Sequence, residues 1–233
     1  MPTTTSKSAY REGVMAGLPF TMFAWPFAML FGLVAAEAGL NVTETMAFSV
    51  IVIAGASQFT AIQLMTENAP VLVILIAALA VNLRMAMYSA SLQPHLGGLP
   101  LGKRMIAAYC NLDQSFALGS VKYESEPDMP IGDKYLFFLG TVSIMIPFWI
   151  VGTYFGAVAG DAVPESLALD FAMPILFLAL VGPMLRTFAH VAAAATSIIV
   201  SLLLAWMPSG IGLLFAGAIA MAVGAEIERR MGK

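Results

Sequence analysis

Three short polar tracts interrupt otherwise apolar sequence: Gly55-Ala56-Ser57-Gln58-Phe59, Asn82-Leu83-Arg84 and Asn111-Leu112-Asp113-Gln114-Ser115. Polar side chains so surrounded are costly in a bilayer, and their default role there is a substrate or ion path. Gly55 permits a break in a helix, and small neighbours let backbones approach closely. A broken helix presents unpaired N–H groups at its positive end, which suits a carboxylate. Close helix packing, with Ser57 bonded to its own backbone, fits the same tract. It is not a phosphate loop, because the required lysine is missing.

Arg84 admits three roles: a buried pair with Asp113, snorkelling toward Pro94, or a fork onto a substrate carboxylate. Tyr88 and Ser91, four and seven residues on, share its helical face. On a continuous helix, Tyr109, Cys110, Asp113, Ala117 and Ser120 form a stripe that Asn111, Gln114 and Ser115 widen. Such a face is too polar for lipid and is expected to line a cavity or meet protein. Asp113 fits either a proton-coupling carboxylate or a partner for Arg84. His190, followed by four alanines, fits a structural hydrogen bond or a proton relay. Ser/His/Asp order, His-Glu-x-x-His and paired catalytic carboxylates are all missing, so the chain does not read as an enzyme.

These groups need a membrane scaffold to position them. The 233 residues are 60% hydrophobic and 11% charged, with a mean hydropathy of +0.87. A soluble domain carries about a quarter charged residues, so this surface could not be covered in water. The net charge of -3 gives no basic footprint for nucleic acid. Cys110 is the only cysteine, which excludes an intramolecular disulfide and a cysteine metal cluster. No Met cluster is joined by His or Cys ligands, and no cofactor is expected.

The expected fold is all-α, a polytopic transmembrane helix bundle of seven to eight hydrophobic segments with broken helices. Residues 1–12 form a tail, 13–225 one transmembrane transporter domain, and 226–233 a second tail. The first apolar run is read as a retained membrane helix rather than a cleaved leader. The spans are 13–36, 45–66, 69–93, 105–121, 135–159, 167–185, 188–206 and 211–225, with 105–121 weakened by its polar centre. Pro19 and Pro26 predict a first span that is broken or tucked against others. With eight crossings and both tails inside, Lys7, Arg11, Lys122, Lys134, Arg186, Arg229, Arg230 and Lys233 lie inside, as the positive-inside rule asks. Lys103 and Arg104 then fall on the wrong side, so either they cap a re-entrant element or one nearby span does not cross. Phe31-Gly32 and Phe155-Gly156 each precede an acidic loop, which suggests repeat halves at 13–121 and 135–225.

The tract from Gly55 to Ala61, then Asn82-Leu83-Arg84 with Tyr88 to Leu92, then Asp113 to Leu118, resembles the AzlC family. The opening Glu12-Gly13 to Pro19, with Phe31-Gly32, adds to the resemblance, which runs over roughly residues 11–230. It implies an inner-membrane protein that exports the branched-chain amino acids Val, Leu and Ile, and sometimes Met. It also implies a small second membrane subunit of the AzlD type, on a separate chain. The candidate translocation path is Gly55, Ser57, Gln58, Asn82, Arg84, Tyr88, Asp113 and Gln114. Gln114 and Ser115 stand where relatives are expected to carry Glu and a small polar residue, so a role needing a second carboxylate beside Asp113 is not carried over. The readings from a different class are an uptake permease and a membrane scaffold subunit that carries no substrate. A proton gradient is the expected drive, since no nucleotide-binding motif occurs.

Overall fold

The computed structural model describes residues 6–160, 185, 187–207 and 211–231. Its described elements are all helical: α1 (Ser6–Glu37), α2 (Val42–Ile51), α3 (Gly55–Thr66), α4 (Val71–Leu96), α5 (Leu101–Tyr109), α6 (Asp113–Ser125), α7 (Ile131–Gly160), α8 (Phe188–Leu203) and α9 (Ile211–Arg230). The chain divides into two compact units, Met1–Ile62 with Ala78–Ala162, and Gln63–Ala77 with Val163–Lys233. Among the described residues, α1, α4 and α7 are long and apolar enough to cross a membrane.

In the first unit α1 and α7 lie backbone against backbone. Gly13 meets Phe137, Gly17 meets Thr141, Ala28 meets Gly152, Gly32 meets Gly156 and Ala36 meets Gly160. Both numbers rise together, so the two helices run parallel and in register. A Cβ on Gly156 would lie 1.9 Å from the Met29 carbonyl oxygen, and one on Gly13 2.1 Å from that of Phe137. In lipid, where helices gain little from apolar contact alone, such small-residue seams are what let helices pack. The seam also explains a departure from expectation. Pro19 and Pro26 do not break α1, which runs unbroken for 32 residues. Pressed along α7, and with the Thr21 hydroxyl donating to the Leu18 carbonyl (2.6 Å), it stays helical through both.

α2 starts beside the C-terminal end of α1, after a turn that Gly39 makes at φ +87°. Asn41 and Glu44 cap it reciprocally, each side chain accepting from the other's backbone N–H at 2.9 Å. Its ten residues reach about 15 Å, half a hydrocarbon core. The helix stops at Val52-Ile53-Ala54, and α3 begins at Gly55, against the Trp149 ring. Phe48 before the break and Phe59 after it both pack edge-on against Phe31, at 5.8 and 5.7 Å. The chain has therefore turned back on itself, and α2–α3 is a re-entrant hairpin.

The same device recurs from the other end. Lys103, near the start of α5, lies over the Tyr135 ring. Tyr123, near the end of α6, donates to the Lys134 carbonyl (2.9 Å) and lies 5.2 Å from the His95 ring near the end of α4. Both ends of α5–α6 thus sit at the start of α7. The nine residues of α5 could not cross a bilayer in any case. The expected span 105–121 is corrected: it is a second hairpin, broken at Cys110-Asn111-Leu112. Its polar centre stops the helix. The stripe from Tyr109 to Ser120 is corrected with it, because Tyr109 ends one helix and Asp113 begins the next.

A long helix followed by a re-entrant hairpin occurs twice in opposite sense, α1 with α2–α3 and α4 with α5–α6. This is the arrangement of inverted-topology repeats. The hairpin tips touch: the Tyr109 hydroxyl donates to the Val50 carbonyl in the last turn of α2. Arg11, Lys103, Arg104, Lys122 and Lys134 share one end of the unit, while the other carries Glu37 and Glu44. Lys103 and Arg104 are therefore not misplaced. At the basic end Lys122 bridges Glu12 of α1 (2.5 Å) and Glu126 (2.7 Å). Burial works against the Lys122 charge, but its bonds to the two carboxylates outweigh that and hold its pKa above the ordinary lysine value. On the alkaline side the Lys122 charge, and with it the bridge, persists through that ordinary value and is lost only as pH rises through the higher one.

In the second unit α8 and α9 pack antiparallel, with Gly212 against Leu204 and Gly224 against Ala193. Thr187 caps α8 by accepting from the His190 N–H at 3.2 Å, and the His190 side chain is exposed. The expected span 167–185 lies outside the described residues except for Leu185.

Two measurements check this fold. Gly156→Leu should lower the melting temperature of the purified protein, by an overpacking cost of about 1–3 kcal/mol. Gly132→Ala, where a Cβ meets nothing within 4 Å, should leave it unchanged. Single cysteines at Lys103 and Glu124, in a Cys110→Ser background, should react with an impermeant maleimide from the same side of the membrane. Labelling from opposite sides would mean that 105–121 crosses.

Candidate functional site

The polar tracts converge where the hairpins end. Gly55, Ala56 and Ser57 form the first turn of α3, and their N–H groups have no partner within the helix. Ser57, 1% exposed, turns its hydroxyl away to the Ala78 carbonyl of α4 at 3.2 Å. Its expected backbone bond is thus made across to a neighbouring helix. Gln58 is fully buried, and neither atom of its amide has a hydrogen-bond partner. A buried amide left open on both sides costs a few kcal/mol, so it marks a place where something polar belongs.

Asp113 opens α6, where the positive end of the helix faces its carboxylate. Arg84 Nη1 reaches Asp113 Oδ2 at 3.1 Å. Of the three roles open to Arg84, the structure shows the pair with Asp113. The pair uses little of what the groups offer, since Arg84 Nε and Asp113 Oδ1 are buried with no hydrogen-bond partner. An arginine carries five donors, so the pair can hold Asp113 and still bind a second acceptor. Tyr88 interacts electrostatically with both charges and stacks on Phe116, centroids 4.2 Å apart. Arg84 with Asp113, Tyr88 with Phe116 and His95 with Tyr123 step along together, so α4 and α6 run parallel and keep the pair in register.

Asn111, in the break itself, is 5% exposed. Its Nδ2 donates to Ser89 Oγ at 3.3 Å while its Oδ1 is unpartnered. Asn82 Oδ1 is buried and unpartnered as well. Gln114, next to Asp113, is half-buried. Ser115 closes the start of α6 by accepting from the Leu112 N–H (2.8 Å) and donating to its carbonyl (2.9 Å). Sequence reasoning passed over Trp149 and Thr45, whose Nε1 and Oγ1 are also buried without partners. Trp149 lines the Gly55 break. The signal available for it was a polar-tipped aromatic two residues after Pro147 in the middle of an apolar span. Among the described residues no cluster of three or more His, Cys, Asp or Glu could hold a metal ion.

Broken helices whose tips carry polar groups inside an apolar bundle mark a membrane protein and are consistent with a transport-related one. The comparisons with known proteins agree. The sequence model of the family described as AzlC protein matches residues 19–163, and the chain belongs to the AzlC family. A protein of Archaeoglobus fulgidus described as an uncharacterized membrane protein is 32% identical over 196 residues, covering 82% of this chain and 83% of that one. The inner membrane protein YgaZ of Escherichia coli is 26% identical over 177 residues, 73% of this chain and 71% of its own. An uncharacterized membrane protein of Helicobacter pylori is 26% identical over 65% of each chain. No solved structure matches the chain.

The pair is partly exposed, 26% at Arg84 and 41% at Asp113, so its worth lies well below the 3–5 kcal/mol lost when a fully buried pair is broken. Arg84→Met should still melt lower than Arg84→Met/Asp113→Leu, because the single variant strands a carboxylate. Equal melting temperatures would show that the two charges do not interact.

Proposed function

We propose that this chain is the large subunit of a secondary transporter that exports branched-chain amino acids across the cytoplasmic membrane. Its substrates are valine, leucine and isoleucine, with methionine, and a small AzlD-type membrane subunit works with it. The family resemblance supplies the substrate class and the partner. The observation that carries the transport reading is the meeting of two re-entrant tips, each bearing buried, unpartnered polar groups. The positive-inside rule puts the basic end in the cytoplasm.

In this reading the first turn of α3 holds the substrate carboxylate by its free N–H groups, beside the Gln58 amide. Asn111 Oδ1 and Asp113 Oδ1 accept from the ammonium. The aliphatic side chain rests on the surrounding apolar residues. The hairpins open in turn, α5–α6 toward the cytoplasm and α2–α3 toward the outside. Asp113 takes up and releases the coupling proton, with Arg84 as its counter-charge when empty of proton. The formed Arg84–Asp113 pair also fits a scaffold subunit that carries no substrate, in which the pair is only structural.

Efflux of valine from cells preloaded with a valine dipeptide separates these. Co-expression with the small subunit should speed efflux several-fold, and Asp113→Asn should abolish the gain at every pH tested. Export by Asp113→Asn at the normal rate across pH would remove Asp113 from the mechanism. No export by the unaltered pair, with both chains in the membrane, would leave the scaffold reading.

A further inference from the structure

A cleft of about 290 Å³ lies between the C-terminal half of α4 and α5. Neither Arg84 nor Asp113 lines it. Near the basic end it is lined by Gly97, Leu101 and Arg104; at its inner end it is lined by Ser89 and Asn111. Leu92, Leu96, Met105, Ala107 and Ala108, with the polar Gln93 among them, make the walls between. Asn111 is two residues from Asp113, so the inner end of the cleft is close along the chain to the start of α6. We infer that this cleft is the cytoplasmic entry site, where a small aliphatic amino acid waits before it reaches the Arg84–Asp113 pair. The inference rests on the transport reading and adds the place and the residues of entry.

The lining fits that ligand at each level. Small-molecule sites are mostly apolar, with a few placed polar groups, and start near 300 Å³. The Arg104 cation at the mouth attracts a carboxylate arriving from the cytoplasm. The walls are mostly aliphatic and accept an aliphatic side chain, with the Gln93 amide as a polar group among them. At the inner end the Ser89 hydroxyl, which accepts from Asn111 Nδ2, keeps a lone pair for an ammonium. A lipid chain would explain the apolar walls and the cation at the mouth. It would leave the polar inner end without a use, and a polar group in contact with hydrocarbon is costly.

Ala108 is exposed, so a larger side chain there fills the cleft without entering the helix packing. Ala108→Trp should cut valine efflux at least tenfold at unchanged membrane content. Gly102→Ala, where a Cβ meets nothing within 4 Å, should export normally. In a Cys110→Ser background, Ala108→Cys should react with maleimide from the cytoplasmic side, and valine should slow that reaction while lysine does not. Full export by Ala108→Trp, or labelling indifferent to valine, overturns the entry site. If Asp113→Asn fails to export under the same conditions, the transport reading stands while the cleft is lost. If the unaltered protein exports no valine and is not protected by it, both fall together.

Discussion

The contact on which the molecule depends is the seam where α1 and α7 touch without side chains between them. Lipid offers helices no hydrophobic reason to associate, so contact must come from close packing. The glycines at 13, 32, 140 and 156 bring two backbones together over the length of both helices. That pair is the fixed wall. The first hairpin rests on it through Ser49 and Thr153, hydroxyls 3.0 Å apart, and through Phe31 between Phe48 and Phe59. The second is tied to it at the basic end, by Lys122 to Glu12 and by Tyr123 to the Lys134 carbonyl. A helix that stops at mid-depth has bare backbone to shield, and non-helical backbone survives in a membrane only against protein or a watery cavity. The wall meets that condition for both hairpins.

With the breaks shielded, their chemistry follows from backbone geometry. Each re-entrant helix beginning at a break, α3 or α6, offers a positive end at mid-depth. The two are used differently. Gly55-Ala56-Ser57 leaves its end uncharged and open, beside an amide with both atoms free. Asp113 places a negative charge on the other end, and Arg84 answers it. One tip is therefore prepared for an anion and the other already holds one. An amino acid carries both signs on a single carbon, and such a pair of unlike tips matches it better than two like ones would.

Much of this was legible in the sequence. Hydropathy marked α1, α4 and α7 because each is long and continuously apolar. The Gly55 break was half legible: glycine and small residues inside an apolar run serve close helix packing as well as a break, and the expected span 45–66 is corrected to the hairpin α2–α3. The candidate path residues Gly55, Ser57, Gln58, Asn82, Arg84, Tyr88, Asp113 and Gln114 all fall in or beside the two breaks and α4. The second break was hidden. Cys110-Asn111-Leu112 contains no glycine or proline, so a helix drawn through it looked continuous and only polar. The misplaced charges of Lys103 and Arg104 were the trace it left, because a hairpin returns its cations to the side they entered from. Pro19 and Pro26 misled in the opposite direction. Local sequence shows the lost N–H groups, while the packing that compensates for them lies more than a hundred residues away on α7.

The order of helix and hairpin carries one further consequence. α1 enters from the basic end and is followed by a hairpin from the acidic end; α4 does the reverse. Each hairpin is therefore reachable from one side only, and the polar groups at the tips are the one place common to both. The fastenings differ in kind. The acidic-end hairpin is held by a hydroxyl pair and aromatic edges inside the apolar wall, which are insensitive to salt. The basic-end hairpin is held at its root by Lys122 between Glu12 and Glu126, an ion cluster open to screening. Detaching the basic-end hairpin means breaking that ion cluster as well as drawing the buried Tyr123 ring away from His95 and Phe137, whereas the acidic-end hairpin is held by packed rings and a hydroxyl pair without charges. The ion cluster therefore makes the basic-end hairpin the more salt-sensitive of the two.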